Sequence, residues 1–125
     1  MQKNSRKVIL IIDDSKDNLE LLTTVLESKN YQVHCASNGE EALLMLSELS
    51  ILPDLILLDA QMPIMDGYQF RAKQKKSNRF KDIPVIIMTG VSDHDLEKNM
   101  HEPRGVLVKP LGINTMIESI ALCIR

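Results

Sequence analysis

Five short apolar runs, each followed by a longer amphipathic stretch, constrain this chain more than any other feature of its sequence. The runs are Val8–Ile12, Val33–Ala36 (broken by His34), Leu55–Leu58, Val85–Met88 and Val106–Val108. Most are continuous blocks of Ile, Leu and Val with no apolar–polar alternation. That is how a strand reads when it lies in a parallel sheet covered on both faces. The intervening stretches carry helical spacing. Leu19, Leu22, Val25 and Leu26 follow Ser15; Asn38 with Glu41 forms an N-cap signature ahead of Ala42, Leu43, Leu46 and Leu49; Ile113, Met116, Ile117, Ile120 and Leu122 close the chain. Tyr68, Phe70 and Ala72 suggest a third helix of weaker periodicity, and Ser92 a cap for a fourth running to about Asn99. Strand and helix thus alternate five times, which predicts a doubly wound α/β sandwich.

The 125 residues suit one domain, taken as 1–125, and 26% charged with 44% hydrophobic residues is an ordinary globular balance. With aromatics at 3%, the core must be aliphatic, and the seven methionines read as core fill. A net charge of −2 gives no pull toward nucleic acid or an anionic membrane. Cys35 and Cys123 form neither a disulfide framework nor a CxxC pair, which predicts a reduced, cytoplasmic setting. The apolar run Val8–Ile12 behind Lys3, Arg6 and Lys7 is too short for a signal peptide or a membrane span.

Open sheets of this kind bind ligands beyond the carboxyl ends of their strands. Four runs end there in a reactive side chain: Asp13-Asp14, Asp59, Thr89 and Lys109. Gathered at one mouth, the carboxylates repel each other, at about 4 kcal/mol for a pair about 4 Å apart at an effective dielectric near 20. Lys109 offsets part of this, and a hard divalent cation such as Mg²⁺ would offset the rest through oxygen ligands. A carboxylate in such a place can act as a nucleophile toward phosphorus. Phosphoryl transfer then needs charge neutralisation and positioning, which Lys109 as a compact cation and Thr89 as a hydroxyl donor can supply.

Taken together, Ile11-Ile12-Asp13-Asp14-Ser15, Leu57-Leu58-Asp59-Ala60-Gln61-Met62-Pro63-Ile64-Met65-Asp66-Gly67, Met88-Thr89-Gly90 and Val108-Lys109-Pro110 resemble the response-regulator receiver domain of two-component signalling. The resemblance covers essentially the whole chain. It implies a flavodoxin-like (βα)5 fold with strand order 2-1-3-4-5. It implies Asp59 as phosphoacceptor, with phosphate from a histidine kinase, a phosphotransfer protein or a small donor, and with Thr89 and Lys109 assisting. Asp14 and Asp59 would bind Mg²⁺ directly, Asp13 largely through water, and the carbonyl of Gln61 would complete the protein ligands. A cis Lys109–Pro110 bond is expected. Such a domain signals through an unknown downstream protein and catalyses no reaction beyond its own phosphorylation and dephosphorylation.

Other features read more plainly. Asp66-Gly67 marks a turn and helix start, and Met62-Pro63 shapes the loop after Asp59. Arg71, Lys73, Lys75, Lys76, Arg79 and Lys81 read as a solvated basic face, and His94 and His101 as surface residues. A phosphatase with an aspartyl nucleophile would want an acid where Gln61 stands, and a flavin phosphate would meet like charge at Asp13-Asp14. Val106 replaces the aromatic usual in the family three residues before the lysine, and Pro103 should stop the fourth helix early. These departures motivate an alternative: an interaction module with an intact site and no phosphorylation-driven switch.

Overall fold

A computed structural model describes residues 6–90 and 95–124. Ten elements alternate along it: β1 (Val8–Ile12), α1 (Lys16–Ser28), β2 (Gln32–Ala36), α2 (Gly39–Glu48), β3 (Leu55–Asp59), α3 (Gly67–Lys75), β4 (Val85–Thr89), α4 (Leu96–Asn99), β5 (Gly105–Val108) and α5 (Ile113–Cys123). The strands form one parallel sheet in the order β2-β1-β3-β4-β5. This is the doubly wound, flavodoxin-like sandwich that the apolar runs and the resemblance predict.

Every residue of β1, β3 and β4 is buried. Their side chains alternate between two cores. Leu10, Ile12, Ile56, Leu58, Val85 and Ile87 face Ala42, Leu46, Phe70, Leu96 and Met100, so α2, α3 and α4 cover one face. Ile9, Ile11, Leu55, Leu57, Ile86 and Met88 face Leu22, Leu26, Met116 and Ile120 of α1 and α5. Each fully buried Leu or Ile contributes roughly 1.5–3 kcal/mol. The outer strands β2 and β5 are only partly buried, which explains their weaker apolar signal.

Local signals set the helix starts. Ser15 accepts from the Asn18 N–H, and Asn38 from the Glu41 N–H. Asp66 and Gln69 exchange bonds of 2.9 and 3.0 Å in a reciprocal capping box, so Asp66-Gly67 does begin a helix. The fourth helix ends at Asn99 as expected but starts later than a cap at Ser92 would place it. It runs from Leu96 to Asn99 and ends where His101 and Glu102 take left-handed backbone, with φ of 60° and 53°. Ser92 and His94 lie outside the described residues. Leu122, at the end of α5, points to solvent.

The basic cluster requires the main correction. Arg71 is 3% exposed and Gln74 fully buried, both on the inner side of α3. Arg71 donates from Nε to the Met100 carbonyl (2.8 Å), from Nη1 to Gln74 Oε1 (2.6 Å) and from Nη2 to the His101 carbonyl (2.9 Å). Gln74 in turn donates to the carbonyls of Phe80 and Ile83. Arg79 reaches the Leu46 and Leu49 carbonyls at the end of α2. The weak periodicity of the third helix follows, because two of its inward positions are polar and satisfied by hydrogen bonds instead of packing.

Candidate functional site

The strand ends converge as predicted. Asp59 is the last residue of β3 and Thr89 the last of β4. Asp13 follows β1 and is held by its own N–H donating to the Ala36 carbonyl. Lys109 follows β5, its N–H donating to the Thr89 carbonyl at 2.7 Å, and the Lys109–Pro110 bond is cis. One carboxylate oxygen from each of Asp13, Asp14 and Asp59 can be chosen so that all lie within 4.8 Å of one another. Asp13 and Asp59 are buried, whereas Asp14 is open to solvent.

Hydrogen bonds fix the two buried carboxylates. Asp13 accepts from the Ser15 N–H at 2.9 Å and from the Asn18 side chain at 3.3 Å. Asp59 accepts from the Gln61 N–H at 3.2 Å on one oxygen and from Lys109 Nζ at 3.2 Å on the other. Burial nonetheless pushes the Asp59 carboxyl above its ordinary range. The neighbouring Asp13 charge acts in the same direction, while the Gln61 bond and the Lys109 charge work against both. Three carboxylates and one ammonium leave a net charge of −2 in a partly dehydrated pocket. A hard dication with oxygen ligands is what such a donor set accommodates.

Gly67 is a further element of the site, and the sequence marks it only as a helix start. A Cβ there would lie 2.7 Å from the Asp59 carbonyl oxygen and 2.9 Å from Ala60 Cα. Its absence lets α3 begin directly against the strand that carries Asp59. Next to it, Ile64 has φ of 68°, an uncommon backbone for a β-branched residue, and its side chain is exposed. Val106 sits in β5 opposite Ile87 and is half-buried against the α4 side of the core.

The description of the response regulator receiver domain matches residues 9–121, nearly the whole chain. The chain belongs to the receiver family. Among curated relatives of this receiver, Protein PilH of Pseudomonas aeruginosa is 33% identical over 115 residues, 90% of this chain and 93% of its own length. The sensor histidine kinase CheAY of Helicobacter pylori is 39% identical over 82 residues, 66% of this receiver but 10% of that protein. The receiver likewise spans only 18% of the response regulator PleD of Caulobacter vibrioides. Several relatives are therefore much longer than the segment they share with it. In three dimensions, the chemotaxis protein CheY4 of Vibrio cholerae superposes with a TM-score of 0.87 over 95% of this chain and 99% of its own, at 24% identity. The receiver domain of a Syntrophus aciditrophicus histidine kinase gives 0.84 over 94% and 89%, at 32% identity. Among the described residues, no helix of the receiver is long and apolar enough to cross a membrane.

Proposed function

We propose that this receiver, a single domain over residues 1–125, is phosphorylated on Asp59 in a Mg²⁺-dependent reaction and signals through protein–protein contacts. The observation that carries the reading is the placement of the Asp59 carboxylate. It is 4% exposed, bonded to Lys109 at 3.2 Å and clustered with two further carboxylates.

The donor is the phosphohistidine of a histidine kinase or phosphotransfer protein. An Asp59 oxygen forms a bond to phosphorus, the P–N bond to imidazole breaks, and the departing histidine takes up a proton. Mg²⁺, when bound, neutralises charge on the phosphoryl oxygens. Asp14, Asp59 and the Gln61 carbonyl would hold it, with Asp13 acting largely through water. Lys109 balances the charge of the acyl phosphate, and Thr89 donates its hydroxyl to a phosphoryl oxygen. The Gln61 N–H orients the Asp59 carboxylate before transfer. The domain works in the cytoplasm, binds no nucleic acid or membrane itself, and acts on no substrate beyond its own acyl phosphate.

Incubation with acetyl phosphate and Mg²⁺, followed by intact-mass spectrometry, tests this directly. The wild type should gain one phosphate, and Asp59→Asn none. Equal labelling of the two proteins, or labelling that persists in excess EDTA, would remove the assignment.

A further inference from the structure

At the end of the sheet opposite Asp59 lies a small polar cleft of about 210 Å³. It opens between the last turn of α3, the start of β4 and the α4–β5 turn. Its lining includes Arg71, Lys75, Lys81 and Arg104, together with Asp82 and Glu102. Four cations against two anions leave a charge of +2. None of the four has a carboxylate within ion-pair distance among the described residues, where Lys109–Asp59 is the only pair.

Arg71 is the buried member. Its three bonds go to two carbonyls and an amide, all neutral acceptors. A guanidinium carries five N–H donors, so three bonds leave one further N–H on each Nη. Burial holds the pKa of this guanidinium below its ordinary value. Lys75, Lys81 and Arg104 are exposed around it and can move toward a guest. A buried, rigidly held arginine ringed by adaptable cations is a physical arrangement suited to a tetrahedral oxyanion. The volume is below that of drug-sized ligand pockets, which restricts the guest to a small one.

We propose that this cleft is a second anion site, separate from the Asp59 mouth, which takes inorganic phosphate or pyrophosphate. Arg71 provides the fixed donor, Arg104 and Lys81 close over the guest, and Asp82 and Glu102 set the limit on affinity. The site requires neither Mg²⁺ nor Asp59 chemistry, so it stands whether or not Asp59 is a phosphoacceptor.

The test is an amide NMR titration of the full chain with orthophosphate and, separately, pyrophosphate. It is run in EDTA with NaCl adjusted to constant ionic strength. Saturable shifts should localise to residues 71–75, 81–85 and 102–104, with pyrophosphate saturating earlier. The paired exposed substitutions Lys81→Ala and Arg104→Ala should raise the half-saturation concentration at least ten-fold while leaving the anion-free spectrum elsewhere unchanged. Shifts that fail to saturate, that persist unweakened in the double variant, or that appear only around Thr89 and Lys109 would overturn the proposal.

Discussion

Replacing Asp59 by asparagine should make the metal-free domain more stable, and the structure sets the size of the gain. Carboxylate oxygens of Asp13, Asp14 and Asp59 lie within 4.8 Å of one another. At an effective dielectric near 20, each such pair repels by about 3.5 kcal/mol. Lys109, at 3.2 Å, returns about 5 kcal/mol to Asp59. Neutralising Asp59 therefore removes two repulsions, about 7 kcal/mol, and one attraction of about 5 kcal/mol, for a net gain of about 2 kcal/mol. Asp14 is exposed, so screening trims its share and brings the figure nearer 1 kcal/mol. Asparagine keeps an oxygen for the Gln61 N–H, so that bond survives. The gain must also depend on pH. The folded Asp59 carboxyl is raised above its ordinary value of 3.8, so the folded state holds this proton to higher pH than the unfolded chain does. Wild-type stability is thus lost as pH rises from 3.8 through the folded value, and the full penalty applies above it. Urea unfolding in EDTA from about pH 3.5 to about pH 7.5, a span that starts below the ordinary carboxyl value, measures both effects, with a melting shift of roughly 4 °C per kcal/mol as a check. An asparagine variant no more stable than wild type at pH 7, or a difference that stays flat across that range, would refute the electrostatic reasoning.

Three further outcomes follow from the same geometry. Adding Mg²⁺ should close and then reverse the difference, because the wild type gains about 2.7 kcal/mol at about a hundred times the dissociation constant and the asparagine variant gains less; thermal melts across a Mg²⁺ series read this. Gly67→Ala places a Cβ 2.7 Å from the Asp59 carbonyl oxygen and should destabilise by about 1–3 kcal/mol while slowing phosphorylation, measured by urea unfolding and acetyl phosphate labelling. Ile64→Asn, which relieves a left-handed β-branched residue at an exposed position, should stabilise by about 1 kcal/mol in the same unfolding assay.

The parts of the molecule legible in the sequence are those where one physical requirement dominates. β1, β3 and β4 are buried on both faces, so their residues had to be apolar without interruption. The gathering of Asp13, Asp14, Asp59 and Lys109 was legible because the same runs stop at polar side chains, and strand ends in this fold share one edge. What could not be read were positions where burial is satisfied by hydrogen bonds. Arg71 and Gln74 look solvated in any pattern that equates charge with water, and their acceptors at Met100, His101, Phe80 and Ile83 are distant in sequence or irregular in backbone. Asn18 as a partner of Asp13 was hidden for a related reason, since a first-turn asparagine has many possible roles. The short α4 was half legible: Pro103 signals an early stop, but the left-handed pair His101 and Glu102 carries no glycine to announce it.

The two arginines around α3 also make the sandwich mechanically lopsided. Arg71 ties α3 to the turn after α4, and Arg79 ties the segment after α3 to the end of α2. Together they lace three helices of one face side to side, whereas α1 and α5 on the other face rest on the sheet mainly through apolar contact. Grease slides and lacing pulls. Gly67 anchors one end of α3 against the backbone of Asp59, and Arg71, one turn further on, grips the carbonyls before β5. The same helix is thus pinned at two places, to the strand that carries Asp59 and to the turn after α4.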